Sequence, residues 1–146
     1  MCTLTLAWRT FGDVPVALAD TRDEALDRPS EPPAVRVGSG GADTGGGDDD
    51  TGDAGVRYVA PRDAEAGGTW IGASESGLVV AVTNRWLDAD REGDRSRGLL
   101  VRDCLTAASA EDAMRAVEGE LDAHKYDGFN LVLADDRAAF MLAYDG

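Results

Sequence analysis

Lysine occurs once in these 146 residues, as Lys125, and histidine once, as His124. A single histidine leaves little room for the usual thiol–imidazole or hydroxyl–imidazole pairs of nucleophilic catalysis. His124 closes the polar segment LDAHKYDG and reads as a surface or helix C-terminal cap residue. Cysteine is almost as scarce. Cys2 and Cys104 are too few for a disulfide framework, and neither has the C-x-x-C or histidine spacing of a zinc site, so no metal or cofactor is expected. Long apolar runs are also missing. No segment reaches the roughly 18 apolar residues of a membrane span, and the start lacks the basic and long apolar regions of a secretory signal. The chain is expected to be soluble and cytoplasmic.

Charge is what the sequence has in excess. The formal net charge is −14, with aspartate well ahead of glutamate. Part of this is local: Gly38 to Gly55 is a low-complexity run holding Asp43, Asp48, Asp49, Asp50 and Asp53 with no large apolar residue. Such a run cannot offset its ordering entropy, so a disordered surface insertion is expected between two strands. Its aspartates lack the spacing and closing glutamate of a calcium loop. Acidity elsewhere in the chain excludes nucleic acid and anionic lipid as partners, since like charge repels both. An aspartate-rich, lysine-poor surface resembles those of salt-adapted, haloarchaeal proteins, in which counterions screen self-repulsion.

Length points to one domain over residues 1–146, able to bury about 70% of its unfolded surface. TLTLAW alternates as a half-buried strand should, RTFGD turns, and VPVALAD returns, giving a hairpin at the chain start. TRDEALDRPSEPP is charged and proline-broken and reads as a loop. VRYVAPRD, GGTWIGAS and GLVVAVTNRW read as strands, the last apolar enough for burial on both faces, with ESG as the turn of a second hairpin. Two helices follow. SRGLLVRDCLTAA has Ser96 as a cap and Cys104 as a small buried hydrophobe. SAEDAMRAVEGELDAH has Ser109 and Asp112 in capping-box relation and a stripe of Ala110, Ala113, Met114, Val117 and Leu121. FNLVLAD and AAFMLAY form a third hairpin. Strands, a helix pair and further strands describe an α+β layered domain without alternating βαβ units.

Cys2 is the residue on which a chemical reading turns. Methionine is generally removed before a small second residue, which would leave Cys2 with both a thiol and a free α-amine. An α-amine titrates at about 7.7–8.0 and can serve as base for its own side chain, with no histidine required. Position alone favours an incidental cysteine, but its company does not. Arg22 and Asp23 end the strand that would pair with the Cys2 strand, and Asn84 ends another, where its amide could donate to an oxyanion.

MCTLTLAW, ALADTRDEALDRPSEPP, VAPRDAEAGGTWIGASESGLVVAVTNRW, SRGLLVRDCL and YDGFNLVLADD together resemble the NRDE, or transport-and-Golgi-organisation-protein-2-like, family. That family is similar to N-terminal-nucleophile hydrolases of the choloylglycine and penicillin V acylase kind. The resemblance implies a four-layer αββα sandwich and hydrolysis of a linear carbon–nitrogen bond. It matches Cys2 to the nucleophile, Asn84 to the oxyanion-hole asparagine, and Arg22 and Asp23 to the flanking pair. Thr21 replaces the family's asparagine. Relatives are longer, so this chain is expected to supply roughly the N-terminal half of the sandwich and to leave a sheet edge exposed, which predicts homo-oligomerisation.

Two functions follow as expectations. One is an amidohydrolase acting on a small-molecule amide through Cys2, Arg22, Asp23 and Asn84. The other, implied by family members linked to haem or lipid handling and Golgi organisation, is a non-enzymatic carrier of a hydrophobic ligand on the same fold.

Overall fold

The structure, a computed structural model, describes residues 2–25, 27–38, 55–85 and 93–146. Most of the acidic insertion, residues 39–54, lies outside them, as does Met1. In chain order the elements are β1 (Thr3–Phe11), β2 (Val14–Thr21), β3 (Ser30–Gly38), β4 (Val56–Asp63), β5 (Ile71–Ser74), β6 (Val79–Asn84), α1 (Arg97–Cys104), α2 (Ala110–Ala123), β7 (Phe129–Ala134) and β8 (Ala139–Tyr144). The fold is α+β, with a two-stranded sheet of β1 and β2 and a six-stranded sheet in the order β3-β4-β5-β6-β7-β8. Every pairing is antiparallel between strands consecutive in the chain.

The six-stranded sheet and the helices share one core. Val80, Val82, Leu131 and Leu133 pack with Leu100, Val101, Cys104 and Leu105 of the α1 segment and with Ala110, Ala113 and Val117 of α2. Met114 and Leu121 complete the α2 stripe as half-buried neighbours. Cys104 is 3% exposed, and burial pushes its thiol up to about 12, as expected of a packing residue. Ser96 Oγ accepts from Gly98 N at 3.2 Å, and Ser109 Oγ accepts from Asp112 N at 3.1 Å. Both predicted caps are therefore formed. The Ser109 hydroxyl donates in return to Asp112 Oδ2 at 2.7 Å, so the box closes on the carboxylate. His124 is the C-cap of α2, its N–H donating to Glu120 O at 2.9 Å.

One segment departs from expectation. SEPP, read as part of a loop, opens β3. β3 is an edge strand, and its pairing with β4 shifts register between Glu31 and Ala34, where Pro32 and Pro33 lie. Prolines without an N–H are tolerated at such an edge irregularity.

The β1–β2 hairpin is a sheet of its own, with half-buried residues along its length and side-chain hydrogen bonds near its turn. At one end the Trp8 indole donates to Asp135 O at 2.8 Å, and the Arg9 guanidinium donates to Asp136 O at 3.1 and 2.7 Å. Arg9 reaches this point from a left-handed backbone, φ 53°, within the register shift between Trp8 and Phe11. At the other end lies the candidate site.

A candidate active site at the open end of the hairpin

Register decides which side chains of the hairpin share a face. Leu4 pairs with Asp20, Leu6 with Leu18 and Trp8 with Val16. Apart from Trp8, which is 36% exposed, this face is half-buried, whereas Thr3, Thr5, Ala19 and Thr21 on the other are exposed. Extending the pattern by one residue sets Cys2 across from Arg22, on the same half-buried face as Asp20. Cys2, Asp20 and Arg22 accordingly line one pocket, together with Asp23, Asp63, Trp70, Asn84, Arg97 and Gly98.

The half-buried Cys2 thiol is held by backbone. Asp23 N donates to Sγ at 3.4 Å, and Sγ lies 3.8 Å from Asp23 O. An N–H directed at sulfur suits a thiolate acceptor. Thr21, next along, fastens the strand ends: its Oγ1 accepts from Thr3 N at 3.1 Å and donates to Thr3 O at 3.5 Å. The hydroxyl thus ties the segment bearing the thiol to the segment bearing Arg22.

Arg22 does not rest on Asp23. Its guanidinium lies 4.1 Å above the Trp70 ring and 3.7 Å from Asp63 Oδ2. Asp63 in turn accepts from Arg28 at 2.8 Å and from the N–H groups of Glu65 and Ala66 at 3.0 and 3.1 Å. Desolvation opposes ionisation of Asp63, but these donors win and hold its carboxyl below the usual carboxylate range. A fixed carboxylate therefore anchors two arginines at the pocket wall.

The opposite wall depends on a glycine contact. A Cβ on Gly68 would lie 2.2 Å from Gly98 C, so only glycine lets residues 68–70 approach the first turn of α1. Thr69 N then donates to Gly98 O at 2.9 Å. That approach brings Ser96, Arg97 and Gly98 to the pocket. Burial lowers the Arg97 guanidinium from its ordinary value; its Nη1 donates to Gly128 O at 2.9 Å, and Nη2 is 4.0 Å from Asp127. Asn84 arrives at the end of β6. Thr83 and Arg85 beside it are spent on structure, Thr83 Oγ1 accepting from Asn130 Nδ2 at 3.3 Å and Arg85 pairing with Asp145 at 2.6 Å.

All four residues singled out in the sequence thus reach one pocket. The contact of Asp23 with the thiol is made by its backbone.

A family model described as Transport and Golgi organisation 2 matches residues 1–145. The chain belongs to this family. It is 34% identical over 120 residues to the mouse Transport and Golgi organization 2 homolog and 31% identical over 119 residues to the human homolog, covering 81% of this chain each time. A bovine homolog is 36% identical over 75 residues, 51% of this chain. The matches to the mouse and human proteins span 38% of those relatives' length.

In this chain, GGTW and APRD acquire physical roles that their pattern does not reveal. Gly68 admits α1, Trp70 stacks under Arg22, and Asp63 anchors Arg22 and Arg28. Asp20 and Arg97 were missed outright. Asp20 was findable: a residue two before Arg22 on a strand shares its face. Arg97 was not, because its approach depends on the Gly68–Gly98 contact between segments far apart in the chain.

Proposed function

We propose that this pocket is the thiol site of an amidohydrolase acting on a linear amide of a small molecule. With Met1 removed, the Cys2 α-amine takes the thiol proton and Sγ attacks the amide carbonyl carbon. The oxygen gains the electron pair and is met by the Asn84 amide. The carbon–nitrogen bond breaks as the ammonium returns its proton to the leaving nitrogen, and water activated by the same amine releases the acid from the thioester. Arg22, steadied by Trp70 and Asp63, supplies fixed positive charge near the thiol, while Asp23 orients it through its backbone. The observation that carries the reading is convergence: three separate segments deliver a thiol with an N–H on its sulfur, a guanidinium and a terminal amide to one polar pocket. A cytoplasmic setting belongs to the same proposal, since it keeps the free Cys2 thiol reduced.

The test is turnover of a panel of N-acyl amines by the protein and by Cys2→Ala, with intact mass measured on both. Loss of Met1 and abolished turnover in the variant are expected. Retained Met1, or undiminished turnover in Cys2→Ala, would refute the mechanism.

A second reading rests on the names of the relatives, which refer to transport and Golgi organisation. In that reading the pocket is part of a ligand-carrying surface without chemistry, and ligand binding survives Cys2→Ala.

A further inference from the structure

Asp20 Oδ1 is the one buried side-chain polar atom among the described residues without a hydrogen-bond partner. Buried polar atoms are nearly always satisfied, and an orphan oxygen in the wall of an open pocket is free to take a donor from water or from a ligand. Structural use does not supply one. Asp20 forms no ion pair with Arg22 two residues on, whose guanidinium is committed to Trp70 and Asp63. Burial raises the Asp20 carboxyl above its ordinary value, with the Thr21 N–H opposing. The fold therefore bears an energetic cost at a position where leucine, as at Leu18, would continue the strand's half-buried face.

The register places Asp20 diagonally across from Cys2. Diagonal neighbours across an antiparallel pair stand about 7–8 Å apart, which is the relation of Asp20 to Cys2. On that register Asp20 and Cys2 face the same pocket, where one small group can meet both side chains. Arg22 and Arg28 are both engaged by Asp63, and Asp23 and Glu24 also line the pocket, so the orphan oxygen calls for a hydrogen-bond donor. A neutral amide N–H is such a donor.

We infer that Asp20 is a specificity residue of this pocket, its Oδ1 accepting the N–H of a primary or secondary amide whose carbonyl faces Cys2. The inference rests on the amidohydrolase reading and narrows its substrates. Tertiary amides, which have no N–H, leave the oxygen unsatisfied and are disfavoured.

Two neutral alkylating probes separate the possibilities: 2-iodoacetamide, which has N–H groups, and N,N-dimethyl-2-iodoacetamide, which has none. Alkylation of Cys2 is followed by intact mass and peptide mapping, with each rate divided by that of a free N-terminal cysteine peptide so that reagent and thiolate differences cancel. The buried Cys104 is the internal negative site. The protein is expected to favour the N–H probe by about three- to tenfold, the worth of one hydrogen bond. Asp20→Leu should lose that preference while Cys2 stays reactive; Asp20→Asn, whose amide oxygen still accepts, should retain part of it. Reactive Cys2 with no N–H preference in the unaltered protein, or an undiminished preference in Asp20→Leu, would overturn the inference and leave the amidohydrolase reading standing. A Cys2 that neither probe labels would overturn both.

Discussion

Asp135 accepts three backbone N–H groups: Ala110 on Oδ2 at 2.7 Å, and Arg137 and Ala138 on Oδ1 at 2.7 and 2.8 Å. One buried carboxylate therefore joins the start of α2 to the β7–β8 turn, while its carbonyl receives the Trp8 indole. Desolvation opposes this, but the donors hold its carboxyl, like that of Asp63, below the ordinary 3.8. A lowered folded-state value means that the stabilisation is complete above the unfolded value and is lost as pH falls through the folded one. Unfolding followed by circular dichroism should thus show stability declining below about pH 4. Asp135→Asn, which sets an N–H₂ against the Ala110 N–H, should cost about 1–3 kcal/mol at neutral pH and flatten that acid limb. Cys2 stands at the same scale but differs in legibility. Its neighbours Arg22 and Asn84 were readable because strand ends are where functional side chains collect. Asp20 and Asp63 were not read as site residues, because an aspartate in so acidic a chain carries little information until its burial and partners are known.

Among the elements, α1 and the 68–70 segment form the most sensitive contact of the site. Gly68→Ala would place a methyl group against the Gly98 backbone, where no flexible side chain can yield. The expected outcome is a loss of about 1–3 kcal/mol in denaturant unfolding, together with slower alkylation of Cys2, because the pocket's wall at Arg97 moves. Strand and helix identities were largely legible in the sequence: the alternation of TLTLAW, the apolar run of β6, the caps at Ser96 and Ser109, and the turn at Gly77, φ 83°. β3 was obscured because proline argues against a strand in general but not at an edge. Exposed Val35 at 69% and Val37 at 64% on that edge, and Met141 at 73% on β8, show how little covers the sheet's two ends.

For the whole molecule the governing quantity is charge. Many ion pairs are exposed, such as Arg57 with Glu75 and Arg115 with Asp112, and exposed pairs contribute little. They cannot offset the self-repulsion of a chain at −14. The melting temperature should therefore rise between low salt and molar KCl; no rise across that series would remove the salt-adaptation reading. No described helix is long and apolar enough to cross a membrane. The sequence alone determined the α+β class, the succession of hairpins around a helix pair, and the family resemblance, because periodicity, caps and turns are local properties. It also placed Cys2, Arg22, Asp23 and Asn84 at strand ends. Only the tertiary structure decided what those ends face. Strand register set Asp20 beside Cys2, and a glycine contact admitted Arg97. A half-buried carboxylate, Asp63, and the Trp70 ring together hold Arg22. Each depends on segments distant in the chain meeting at a fixed offset, which no local pattern encodes.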